Sequence, residues 1–266
     1  MNNKAIVTTV VVLVVVILGG FGIWYWTNSV TSLNPSYTTN GNTTNQNGTQ
    51  YQNTVQNQTR GTMYFSMTDA AVDMKNVTAV TMTVDNVQTY NKAVGWITVS
   101  QVPQTFSLLD LKAKHQVVLL AKASVPVGTY SEFRLHIAKI MVTASGTTKQ
   151  ALVPSNNFDV ATNVMVNANA NSAAQFDVMA DKSLHQTDKG EFVFTPVVRF
   201  DSRVNATVLI GAGNVMVVSF GETNASVNLG MDVDGKIKTD FVVDPNAKLS
   251  VSGGTIHLGT AVKLGL

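Results

Sequence analysis

Four histidines, His115, His136, His185 and His257, and a complete lack of cysteine bound the chemistry open to this chain. Without a thiol there is no disulfide, no thiolate metal ligand, no cysteine nucleophile and no cysteine to lipidate. In Arg134-Leu135-His136-Ile137, strand alternation puts Arg134 and His136 on one face. Asp177, Asp181 and His185 follow close together, and a β partner could bring them to His136 around a metal. Such a site needs several ligands converging with a supporting shell, and the spacing matches neither a zinc motif nor a facial triad. Solvent-facing polar residues are the simpler reading.

Asp232-Val233-Asp234-Gly235-Lys236 opens like a calcium loop, yet its fifth and twelfth positions are Lys236 and Val243 rather than an oxygen donor and a Glu. Asp-Gly is also the strongest two-residue hairpin signal, so a turn is expected there. Asp69 and Asp73 could cap or coordinate, but carboxylates at a strand exit are usually turn formers. Nucleophile-elbow, phosphate-loop and metalloprotease motifs are absent, and Gly211-x-Gly213 lacks the third glycine of a dinucleotide site. Trp96, at a strand start, reads as a core anchor rather than a ligand platform. No catalytic, cofactor-binding or metal residue is nominated, and a non-enzymatic protein without a cofactor is expected.

The elements that would position these residues are organised by Ala5–Trp26, 22 residues without a charge. As a helix this stretch spans about 33 Å, enough for a bilayer's hydrocarbon core of about 30 Å. It is too long for the apolar core of a cleaved signal, and it closes with Ile23-Trp24-Tyr25-Trp26, aromatics that suit a membrane interface. Lys4 lies on one side and no charge appears on the other until Arg60, so the positive-inside bias puts residues 1–4 in the cytoplasm and the rest outside. Residues 27–60, rich in Asn, Thr and Gln, have no apolar period and read as a disordered stalk.

Lys and Arg number 18 and Asp and Glu 16, and without Lys4 and Arg60 the two are equal. A neutral outer region argues against a nucleic-acid binder, which needs a basic face. Charged residues make up only 13% of the chain, so solubility rests on Asn, Thr and Ser, and an outside location would open the sequons at Asn42, Asn47, Asn57, Asn76, Asn205 and Asn224 to glycosylation.

Beyond Arg60 the pattern turns to period two. Thr62–Thr68, Val77–Tyr90 and Trp96–Val99 alternate, Glu132–Thr143 forms a long strand after the turn at Val125–Tyr130, and Ala151–Val153, Phe158–Val166, Ala173–Met179 and Phe192–Phe200 follow. Leu108–Ala123 is the best short helix, although its Val117–Leu120 run also suits a buried strand. Residues 61–202 are therefore expected to be an antiparallel Greek-key β-sandwich and the chain all-β. Residues 203–266, with turns at Gly211–Asn214, Asp234-Gly235, Asp244–Asn246 and Ser252–Gly254, are expected to form a small C-terminal unit of hairpins.

Several blocks recur in the order and spacing of a known family: Gly61-Thr62 through Thr68-Asp69-Ala70, Gly95–Val99, Phe106–Leu111, Pro126–Leu135, Val153-Pro154-Ser155, Asp181-Lys182-Ser183 and Pro196–Arg199. On these the chain resembles domain-of-unknown-function family 4382, found in bacterial and archaeal envelope proteins. The resemblance covers about residues 61–200 and implies an extracytoplasmic β-sandwich with no established activity. Relatives often look like lipoproteins held by an N-terminal cysteine, where this chain carries an apolar stretch. They also often show Asp-aromatic-Asp before the Lys-Ser block, and here Asp177-Val178-Met179 departs from that pattern.

Taken together, the reading is a membrane-anchored extracellular β-sandwich protein, structural or adhesive, with cell-envelope proteins or glycans as candidate partners. Its rivals are a subunit of a surface filament or lattice that self-assembles by strand exchange, and a small-ligand or metal-binding module at the sandwich's loop end.

Overall fold

The computed structural model describes residues 59–69, 74, 76–259 and, for the backbone alone, 264–265. The expected span over 5–26 and most of the stalk over 27–60 lie outside the described residues. Among the described residues no helix is long and apolar enough to cross a membrane.

Strands dominate. They are β1 (Arg60–Thr68), β2 (Val77–Asn91), β3 (Gly95–Ser100), β4 (Gln104–Ser107), β5 (Val118–Pro126), β6 (Gly128–Ala144), β7 (Thr147–Ala151), β8 (Asn157–Val166), β9 (Asn171–Val178) and β10 (Leu184–Gln186). The later ones are β11 (Phe192–Phe194), β12 (Val197–Val204), β13 (Thr207–Ile210), β14 (Met216–Ser219), β15 (Glu222–Met231), β16 (Ile237–Thr239), β17 (Phe241–Val242), β18 (Leu249–Ser252), β19 (Thr255–Leu258) and β20 (Leu264–Gly265). Two short helices, α1 (Leu108–Ala113) and α2 (Ala180–Ser183), interrupt them.

Two six-stranded sheets carry the core. The first has the order β16-β15-β12-β9-β1-β5; the second runs β3-β2-β6-β7, with β4 also on β2 and β8 also on β6. Alternation explains why they pack. Met63, Phe65 and Met67 of β1, Val80, Met82 and Val84 of β2, and Phe133, Leu135 and Ile137 of β6 are all buried in one cluster. Phe133 of the second sheet lies 6.2 Å from Phe65 and 5.1 Å from Phe200 of the first, ring centre to ring centre, so the sheets face each other across this cluster. Each such side chain contributes roughly 2 kcal/mol by leaving water.

Most pairs are antiparallel, but β1 and β9 run parallel from Thr62 beside Asn171 to Thr68 beside Asp177. This corrects the purely antiparallel expectation; no local pattern announces it, because the strands are separated by the whole second sheet. A shorter helix is the next correction. Only Leu108–Ala113 is helical, and from Val118 the β-branched and leucine run pairs with β1 as a strand. Phe192–Phe200 is likewise two strands, broken at Thr195-Pro196, where proline has no N–H to give a ladder.

The boundary expected at 202/203 falls inside β12, and the described strands after it join several different sheets. β15 pairs with β12 and β16 with β15, extending the first sheet. The β12–β15 ribbon also continues past a corner at Asn205, Phe220 and Gly221, all with positive φ, into the β13–β14 hairpin. That hairpin returns to the start of β5, where Met216 N–H donates to the Val117 carbonyl and Val215 bridges Val118. Only the last strands gather around a separate small core of Val193, Phe241, Val243, Ala247, Leu249 and Ile256.

Tyr130 secures the β5–β6 turn. Its ring is fully buried and its hydroxyl donates to the Pro126 carbonyl at 2.7 Å, across Gly128, whose φ of +137° suits glycine. Burial raises the phenol's pKa to about 12, although the Arg60 charge opposes this.

Candidate functional site

The outer face of the second sheet carries a cluster of polar and aromatic side chains in contact with one another. It is built by alternation on four neighbouring strands. With Ile97 and Val99 of β3 turned to the core, Trp96 and Thr98 point out. On β6 the inward Phe133, Leu135 and Ile137 leave Glu132, Arg134 and His136 outward, and on β8 the inward Phe158 and Val160 leave Asn157 and Asp159 outward. β2 changes phase midway: Val84 and Val87 both face in, so Asp85 and Asn86 form a bulge on the outer side before Gln88 and Tyr90 resume alternation.

Register lines these groups up in rows. Thr98, Gln88, Arg134 and Asp159 form one row, Trp96, Tyr90 and Glu132 the next. Arg134 is held on both sides: its Nε and one terminal nitrogen donate to the two oxygens of Asp159 at 2.6 and 2.9 Å, and its guanidinium lies 4.5 Å from the centre of the Trp96 ring. The Asp159 hydrogen bond, opposed by desolvation, raises the Arg134 pKa. The Trp96 and Tyr90 rings meet at 5.5 Å, tilted by 58°. His136 Nδ1 pairs with Asp85 Oδ1 at 2.5 Å, and Gln88 Nε2 donates weakly to the Thr98 hydroxyl. Asn86 Oδ1 is shielded from solvent and has no hydrogen-bond partner among the described residues. Partly exposed ion pairs of this kind contribute about 1 kcal/mol or less to stability, so their value lies in fixing side-chain positions.

Trp96 is therefore not a core anchor; 39% of its surface is open, with Ile97 beside it filling the core. The shared face of Arg134 and His136 is as alternation predicts. Asp177 does not meet His136: His136 points out from the second sheet, while Asp177, flanked by the core residues Phe176 and Val178, points out from the first. His185 is buried and shares a 3.0 Å hydrogen bond with Thr195, and burial lowers its pKa to about 4 against the pull of Asp244. Among the described residues no group of three His, Asp or Glu is placed to hold a metal.

The Asp232–Lys236 stretch is a hairpin turn joining β15 to β16. Gly235, at φ +82°, donates to the Asp232 carbonyl, Lys238 Nζ reaches Asp232 at 2.6 Å, and Lys236 pairs with Asp234 at 3.0 Å. Asp69 Oδ1 accepts from the Ala180 N–H at the start of α2, a capping role; Asp73 lies outside the described residues. Gly213 sits in a single 3-10 turn at φ +67°, with no helix after it to receive a dinucleotide. Asp85 and Asp159 were not among the residues singled out from sequence. An Asp-Asn pair inside a β-branched run was the available signal for the bulge.

The family model for Domain of unknown function (DUF4382) matches residues 60–196. The chain belongs to this family. The DUF4382 match spans β1 to the residue before β12, so it contains all four strands of the aromatic and polar face and stops before the ribbon strands β12–β15. No curated protein matches the chain, and no solved structure does.

Proposed function

We propose that this DUF4382 protein is a non-enzymatic surface protein, tethered by residues 5–26 with its β domain outside the cell and serving envelope structure or adhesion. The observation that carries the reading is the 22-residue uncharged stretch with its closing aromatics, followed by a polar tract and then a β domain. Neutral net charge beyond Arg60 and the lack of cysteine-based chemistry agree with it. Sequons at Asn76, Asn205 and Asn224 fall on exposed residues of the β domain, open to glycosylation in a host with that machinery.

Fractionation and surface digestion test it. Full-length chain should stay in the membrane pellet through alkaline carbonate, and protease added to intact cells should release a β-rich fragment cut within residues 27–59. Recovery in the soluble fraction, or complete protection in intact cells that is lost on lysis, would overturn the reading.

A further inference from the structure

We propose that the outer face of the second sheet binds a neutral polysaccharide, stacked on Trp96 and hydrogen-bonded by Arg134, Asp159, Gln88 and the His136–Asp85 pair. This goes beyond the tethering reading and does not depend on it.

Shape comes first. Four adjacent strands at about 4.8 Å spacing, with rows two residues apart, make a face roughly 14 Å by 13 Å, room for a short oligosaccharide segment lying flat. An extended sugar chain offers such a face two kinds of surface: axial C–H groups that pack on an aromatic ring, and equatorial hydroxyls that both donate and accept. Trp96 supplies an indole with 39% of its surface open, held in place by the Tyr90 ring at 5.5 Å and the Arg134 guanidinium at 4.5 Å. A large aromatic left this open gives up much of the benefit of burial, and the groups around it hold it in one orientation.

The hydrogen-bonding groups are mixed in kind. Guanidinium and amide N–H groups donate, three carboxylates accept, and imidazole completes the set. Because Arg134 is fixed by Asp159 at 2.6 and 2.9 Å and His136 by Asp85, a ligand meets groups already oriented, which lowers the ordering cost of binding. Charge then chooses between ligand classes. Arg134 is held by Asp159 and His136 by Asp85, so neither is left free to receive a phosphate or sulfate, whereas an uncharged polyol needs no free cation.

The test uses full-length protein in a zwitterionic detergent that lacks a sugar headgroup. Native gels cast with or without neutral polysaccharides, an α-glucan, a β-glucan, a mannan, a xylan and a galactan, report binding as retardation, with heparin as the anionic control. Retardation by at least one neutral polymer is expected, weakened about tenfold or more in Trp96→Ala and in Arg134→Ala. Gln88→Ala, which removes one long hydrogen bond and no packing, is expected to weaken it less while keeping the wild-type circular dichroism spectrum. Lack of retardation by every neutral polymer, retardation by heparin alone, or neutral binding that survives Trp96→Ala undiminished would each overturn the proposal. A carbohydrate-independent loss of fold in Arg134→Ala would leave Trp96→Ala and Gln88→Ala to decide it, since both sit on the exposed face.

Discussion

Acid should destabilise the β domain through one buried imidazole. His185, the middle residue of β10, is only 7% exposed, shares a hydrogen bond with the Thr195 hydroxyl, and has its pKa lowered to about 4 from an ordinary value near 6.5, chiefly by burial. Above pH 6.5 the ring is neutral in both the folded and the unfolded chain and adds no slope. As pH falls below 6.5 the unfolded chain takes up a proton that the folded chain refuses, so the stability present at neutral pH is progressively lost until the folded ring also titrates near pH 4. A difference of about 2.5 pKa units corresponds to about 3 kcal/mol at pH 4, of which about 2 kcal/mol has gone by pH 5. Carboxylates held low by hydrogen bonds, Asp234 among them, add their own loss at still lower pH, so the histidine must be isolated by difference. Urea unfolding of wild type and His185→Gln from pH 7.5 to 4 does this, because glutamine keeps a partner for Thr195 and does not titrate. The gap between the two proteins should shift by about 3 kcal/mol in favour of the variant as pH falls. A gap that stays level across that range, or an imidazole resonance of His185 titrating near pH 6.5 in the folded protein, refutes the reasoning.

Other perturbations follow from the same geometry. Tyr130→Phe removes the hydrogen bond to the Pro126 carbonyl inside the core and should cost about 1 to 2 kcal/mol in urea unfolding, with the strand spectrum unchanged. Phe220→Asn should stabilise the chain by about 1 kcal/mol, because Phe220 and Gly221 both have positive φ and Asn tolerates that conformation better than an aromatic that is 78% exposed. Gly230→Ala places a methyl against the Phe241 carbonyl; a loss of about 3 kcal/mol or more in melting experiments is expected, since backbone must move to admit it.

Local pattern made much of the molecule legible and non-local pairing hid the rest. The alternation of Met63, Phe65 and Met67, or of Phe133, Leu135 and Ile137, identifies strands and their buried faces because each strand has one side on the core. Leu108–Ala123 misleads because leucines at 108, 109 and 111 satisfy a helix for one turn before the β-branched run takes over as β5. Trp96 misleads for another reason: hydrophobic size suggests the interior, but its position beside Ile97 in a period-two strand puts it outside. The parallel β1–β9 pair and the recruitment of β15 to the first sheet leave no mark in any short window. Asp85 and Asp159 become part of a site only when register sets them beside His136 and Arg134.

The parallel pairing also sets a timetable for the chain. β1 is the first strand among the described residues, and its neighbours in the sheet are β5 and β9, the latter starting at Asn171. More than a hundred residues must therefore be made before Met63, Phe65 and Met67 are covered on both flanks. The hairpins of the second sheet close between near neighbours such as β2 and β3 and can form early, whereas the first sheet must wait for a loop closure whose entropy cost grows with its length. Through that interval the β9-facing edge of β1 is open, the kind of strand edge that aggregates or recruits a chaperone. Earlier hydrogen-exchange protection in the β2–β3 hairpin than in the β1–β9 pair is the kinetic order this topology predicts.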